Sequence, residues 1–164
     1  MKIKCQPQAA ACAPLSSTVT LLSLPEPTHA IEKDSTMTLI QHNPSGVFPP
    51  YRAYSHGMEV RGDSRLLFVS GLNGYRDDGT TMPESFEEQA DLIWKHITSI
   101  LASAGMELSN IVSLRTYLAD PKYDELNVLM RVKYMGIHRP ASTVICCQLL
   151  DPKWKLEVEA VAAT

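Results

Sequence analysis

Two glutamates near the C-terminus, Glu157 and Glu159, are the residues here whose type and spacing could do chemistry. They lie in an alternating segment. Trp154, Leu156, Val158 and Ala160 take one face of a strand, and Lys155, Glu157 and Glu159 take the other. Carboxylates at i and i+2 on one strand face stand roughly 7 Å apart. The run Ala160-Val161-Ala162-Ala163 reads as an interior strand, which leaves two readings open. The carboxylates either line a cleft, where they are available for acid–base work, or form a solvent-facing polar edge. His56, after Tyr54 and Ser55, is a second candidate acid–base group, although a lone histidine is more often structural. The adjacent Cys146 and Cys147 read as core residues and are poorly placed to bridge each other, because neighbours on a strand point to opposite faces. No Cys/His spacing resembles a zinc site.

The elements that must position these groups follow from local signals. Ala53–Val60 and Arg65–Ser70 read as strands flanking the turn Arg61-Gly62-Asp63-Ser64. Asn73-Gly74 and Asp77-Asp78-Gly79 mark a loop. Ser85 and Glu88 have the spacing of a capping box. Phe86, Ala90, Ile93, Ile97, Ile100, Leu101 and Ala104 recur at helical spacing, and Gly105 ends that helix. Ile111–Leu118 reads as a strand. Asp120-Pro121 opens a second helix, with Tyr123, Leu126, Met130 and Tyr134 on its buried face and Gly136 as its stop. Ser142–Leu149 and Trp154–Ala162 are the last two strands. Two helices with one apolar stripe each fit one face of a single mixed sheet, an α+β two-layer domain. The other sheet face then needs cover, and Val144, Cys146 or Cys147, and Leu156 are apolar residues available for it.

Composition bounds the function. The chain has 164 residues, 45% hydrophobic and 20% charged, enough for one domain with a real core. A net charge of −3 gives no electrostatic footprint for nucleic acid. No apolar run approaches the roughly 18 residues of a membrane span. Reduced thiols at the four cysteines point to the cytoplasm. Residues 1–36 show no persistent period and read as a disordered tail or a mis-assigned start rather than a signal peptide. Residues 37–164 form the domain.

Four blocks, in order, resemble one family. They are Tyr54-Ser55-His56-Gly57-Met58-Glu59-Val60; Leu66-Leu67-Phe68-Val69-Ser70-Gly71; the helix from Phe86 to Gly105 leading into Asn110-Ile111-Val112; and Arg139-Pro140-Ala141 with the strand from Glu157 to Ala162. Together they resemble the YjgF or Rid (reactive intermediate deaminase) proteins, also named L-PSP endoribonucleases. The resemblance implies a chorismate-mutase-like fold and a homotrimer with small-molecule clefts between subunits. It also implies hydrolysis of an enamine or imine to a carbonyl compound and ammonia, with no cofactor, because an imine carbon is already electrophilic. Carried over by residue, Glu157 matches the glutamate that holds the attacking water. Tyr54, Ser70, Gly71 and Asn127 match residues lining the cleft, and Ser142 and Thr143 stand at its carboxylate-binding end. There the chain departs from the pattern. The family's carboxylate clamp is an arginine directly after Pro-Ala, and here Ser142 follows Pro140-Ala141. Arg139 precedes the proline and is no obvious substitute. Two functions follow: a deaminase or related hydrolase with a non-standard substrate, improved on ordinary imino acids by Ser142→Arg, or a non-catalytic metabolite-binding trimer.

Overall fold

The computed structural model describes residues 36–164. The tail expectation falls almost wholly on residues outside that range. The elements are β1 (Thr38–His42), β2 (Gly57–Arg61), β3 (Leu66–Leu72), α1 (Phe86–Ser103), β4 (Ile111–Leu118), α2 (Asp124–Met135), β5 (Ala141–Cys146) and β6 (Leu156–Ala163). The α+β class and the element order from β2 onward agree with the sequence reading; β1 precedes the first strand read there.

The helices form where their signals stand. Ser85 Oγ accepts the Glu88 amide at 3.2 Å, capping α1. Phe86, Ala90, Ile93, Trp94, Ile97 and Leu101 then fall on one buried stripe. Gly105 follows at φ +69°, a conformation that favours glycine, and the Met106 amide returns to the Leu101 carbonyl at 2.9 Å. Asp120 caps not α2 itself but a single 3-10 turn, Pro121–Tyr123, from which α2 continues. The predicted α2 stripe is only partly correct, because Asn127 and Arg131 are buried beside Met130.

Four strands form the main sheet in the order β3-β6-β4-β5. β6 runs antiparallel to both β3 and β4, while β4 and β5 are parallel, and α2 supplies the crossover that a parallel pair requires. The inward faces of β4 and β6, including Leu114, Leu118, Leu156, Val158 and Ala160, join the α1 and α2 stripes in one core. β1 and β2 form their own antiparallel ribbon rather than joining the four-stranded sheet. The strand expected from Ala53 begins only at Gly57, because Ser55 instead bridges Ala141 and donates its hydroxyl to the Arg139 carbonyl at 2.7 Å.

The sheet face away from the helices differs from expectation. Leu156 is core, and Val144 packs against the core, so neither is free to cover that face. Its most exposed apolar residues are Leu66, Phe68 and Ile145, which are 50%, 72% and 47% exposed. Cys146, expected in the core, is exposed, and Cys147 is half-buried.

Asp91 ties α1 to α2. Its carboxylate accepts from Lys133 Nζ at 2.8 Å and from the Tyr134 hydroxyl at 2.6 Å, and it pairs with Lys95 at 2.7 Å. The Lys133 and Lys95 contacts, then Tyr134, hold Asp91 far below the usual carboxylate range. Burial, then the Asp91 contact, pushes the Tyr134 phenol up to about 12. A depressed carboxylate pKa stabilises the fold at pH values above the unfolded value near 4, and that contribution is lost as pH falls towards the folded value. Asp91→Asn is therefore expected to destabilise by about 1–2 kcal/mol at pH 6 and by clearly less near pH 2, where only the folded carboxylate is still ionised. Denaturant titrations of both proteins at the two pH values check this; an equal difference at both would contradict it.

Candidate functional site

Within one chain the predicted site residues fall into two groups and one outlier. The first group lies on the open face of the sheet. Pairing of β3 with β6 is broken between Val69 and Leu72, and Ser70 and Gly71 occupy the irregularity. Glu157 stands directly against Gly71. A Cβ built on Gly71 would overlap the Glu157 carboxylate, with Cδ at 2.9 Å, so only glycine leaves that carboxylate its place. The two carboxylates of β6 have different surroundings. Glu159 pairs with Arg115 at 2.6 Å. Glu157 is half-buried, across from Tyr117 in the β4 register. Glu157 has no hydrogen bond or ion pair among the described residues. A half-buried, unneutralised carboxylate beside a strand irregularity is equipped to hold a water or a ligand N–H.

The second group lines a cavity of about 510 Å³ at the β5 edge. Tyr54, Ser142 and Thr143 all contribute to its wall. Their positions follow from register. Ser142 pairs with the inward-facing Leu114 and is directed towards α2, whereas Thr143 pairs with the exposed Arg115. The segment before β2 closes the outer side with Phe48, Tyr51 and Tyr54. His56 fixes that segment: its backbone N–H donates to Asn43 Oδ1 at 2.8 Å, and its ring lies 2.6 Å from the Phe48 carbonyl through Nε2. The histidine is thus structural rather than an acid–base group. Its ring also packs edge-on against both Phe48 and Tyr54.

Asn127 is the outlier. It is buried at 4% exposure and does not line the cavity, yet its Nδ2 has no hydrogen-bond partner among the described residues. The two groups are separated by β4. Tyr117 lies between Glu157 on one side and Ile145 on the other, so their rows are about two strand spacings, roughly 10 Å, apart.

Sequence reasoning missed the cavity's cations. Arg131 on α2 is only 3% exposed, and its Nη1 donates to Ser142 Oγ at 2.9 Å. Arg52 also lines the wall and is paired with Asp124 at 3.0 Å and Glu125 at 2.7 Å. Arg139 donates Nη1 to the Gly136 and His138 carbonyls, at 2.6 and 2.9 Å. Burial first, then the Arg139 charge, lowers the Arg131 pKa from its ordinary value. A signal for Arg131 was available: Asp124, Val128 and Arg131, spaced i, i+4 and i+7, share one helix face, and all three line the cavity.

Known proteins share this arrangement of elements. The endoribonuclease L-PSP family model matches residues 47–164. A RutC family protein of Aquifex aeolicus is 32% identical over 115 residues, covering 69% of this chain and 90% of the relative. The 2-iminobutanoate/2-iminopropanoate deaminase of Rattus norvegicus is 29% identical over 112 residues, covering 67% of this chain and 79% of the relative. Among solved structures, a Rid-family protein of unknown function from Yersinia pestis superposes with a TM-score of 0.69 at 23% identity. That match spans 77% of this chain and 98% of the other.

Proposed function

Because the chain belongs to the endoribonuclease L-PSP family, which includes the YjgF/Rid proteins, we propose that it hydrolyses the C=N bond of a small reactive imine or enamine and releases ammonia. The observation that carries this reading is the state of Glu157: unpaired, half-buried and pressed against Gly71, while Glu159 is neutralised by Arg115. In the reaction, Glu157 holds a water and takes its proton as the water oxygen bonds to the imine carbon. The proton passes to nitrogen to give a carbinolamine. Its hydroxyl proton then moves, through Glu157, to the nitrogen as the C–N bond breaks and the C=O bond forms, so that ammonia leaves with a carbonyl product. A positioned general base of this kind contributes about 10²–10⁴-fold. The net charge of −3 favours a small molecule over nucleic acid as the substrate.

The complete site is proposed to form in a homotrimer. Leu66, Phe68 and Ile145 leave the open sheet face apolar, and covering it with another copy is how that copy's β5-edge cavity would meet the Ser70–Gly71–Glu157 group, since within one chain the two lie on either side of β4. Light scattering is expected to give three times the chain mass of 18.2 kDa. A stable monomer at micromolar concentration would contradict the trimer.

Ammonia release from an enamine of the 2-aminoacrylate type, generated in situ, tests the activity. Acceleration over spontaneous hydrolysis is expected. A second reading, a non-catalytic metabolite-binding trimer, is favoured by the uncharged Ser142 after Pro140-Ala141. Ligand binding without any acceleration would establish that reading instead.

A further inference from the structure

We propose that Arg131 reads a carboxylate on the ligand of the β5-edge cavity, taking from α2 the anion-binding task that Ser142 cannot perform from β5. This rests on the reading of that cavity as a small-molecule site. Three cations stand in or near it, and two already have partners. Arg52 is balanced by the carboxylates of Asp124 and Glu125, although its Nη1 makes no well-aligned hydrogen bond among the described residues, and Arg139 is held by two backbone carbonyls. Arg131 differs. It is buried, its only hydrogen bond is to the neutral Ser142 hydroxyl, and no carboxylate lies within ion-pair reach among the described residues. Its Nε is buried with no partner at all among those residues. Asp124 attracts it only from beyond ion-pair distance. A buried cation without a contacting counter-charge is unfavourable for folding, so its presence here points to a partner that arrives from outside. Arg131 lines the cavity, and that is where such a partner would enter.

The cavity also limits the anion. One guanidinium is left uncompensated, and Asp124 already lines the same wall. A monoanionic carboxylate balances that charge, whereas a phosphate dianion would leave an excess negative charge beside Asp124. Phe48, Tyr51 and Tyr54 offer ring surface to the rest of the molecule. The ligand class is therefore a small organic carboxylate with an apolar or planar body.

The test measures binding without turnover, by calorimetry on the full chain, using 2-oxobutanoate, its uncharged amide and inorganic phosphate. Wild type is expected to bind the carboxylate at least about tenfold tighter than the amide, and tighter than phosphate. Arg131→Met is expected to erase that discrimination, and Arg131→Lys to keep part of it. Arg131→Met should also melt at the same temperature as wild type or higher, since it removes an unpaired buried charge. A merely structural arginine would give a lower melting temperature with discrimination intact, and that would overturn the proposal. Ser142→Asp gives an independent check if Arg131→Met does not fold. An internal carboxylate beside Nη1 should raise the melting temperature and abolish 2-oxobutanoate binding; binding that survives would overturn the proposal. Wild type that binds neither probe, treats both alike or prefers phosphate would do the same. Arg131-dependent discrimination without ammonia release would leave this inference standing and remove only the hydrolytic reading.

Discussion

Glu157→Gln is expected to slow ammonia release by about 10²–10⁴-fold while leaving the melting temperature almost unchanged. Both halves follow from its surroundings. Glutamine keeps the size and shape of the side chain but cannot accept the proton of the attacking water. Glu157 makes no ion pair or hydrogen bond among the described residues, so no structural contact is lost. Gly71→Ala should reach a similar kinetic result by geometry. The added Cβ would overlap the carboxylate, and the flexible glutamate would swing away at little cost in stability. Ammonia-release kinetics and thermal melts on both variants check this. Full activity in Glu157→Gln would remove the carboxylate from the mechanism. A large drop in its melting temperature would show that Glu157 is structural.

The largest loss of stability is expected at Gln89, a residue with no part in the chemistry. It is fully buried on α1. Its Nε2 donates to the Pro83 carbonyl at 2.6 Å and to the Lys153 carbonyl at 2.9 Å, and its Oε1 accepts the Lys155 amide at 2.8 Å. One amide side chain thus satisfies three backbone groups, including two at the entry to β6, the strand that carries Glu157. Gln89→Leu fills the same space and leaves all three without that partner. At about 1–3 kcal/mol for a buried unsatisfied group, and towards the lower end for the two part-buried groups at Lys153 and Lys155, the expected loss is roughly 3–6 kcal/mol. That is comparable to the whole stability of many domains, which is about 5–15 kcal/mol. Gly74→Val should act on the same place, because a Cβ there would meet Gln89 Cβ at 2.6 Å and its backbone oxygen at 2.7 Å. Denaturant unfolding measures both variants. A loss below about 1 kcal/mol for Gln89→Leu would mean that water replaces the amide and that β6 does not depend on it.

The elements were legible because their signals are local. Ser85, Gly105, Gly136 and the period-two run through Glu157 each fix a helix end or a strand face within a few residues. Less legible was anything set by contacts between distant segments. The strand expected from Ala53 starts late because Ser55 is held by the Arg139 carbonyl, a contact that no periodicity announces. Leu156 and Val144 were candidates for the open sheet face, but strand parity alone cannot say which face a helix will cover. In the structure the helices take theirs. The site was legible in part. Tyr54, Ser142 and Thr143 share a cavity wall, whereas Glu157 with Gly71 lies across β4 from them. Arg131 escaped notice because its meeting with Ser142 depends on how α2 packs on β5. That meeting also reverses one expectation. Ser142→Arg would set a second guanidinium beside Arg131, and repulsion should weaken the fold rather than improve carboxylate binding.

The reaction proposed for this protein is hydrolysis of an imine whose carboxylate is recognised in the cleft. Its most direct test compares wild-type acceleration over the spontaneous rate for two substrates, the imine of a small 2-oxo acid and the same imine as its methyl ester. Clear acceleration is expected for the acid and at least about tenfold less for the ester, whose carboxyl group carries no charge for Arg131. No acceleration of either, or equal acceleration of both, would contradict it.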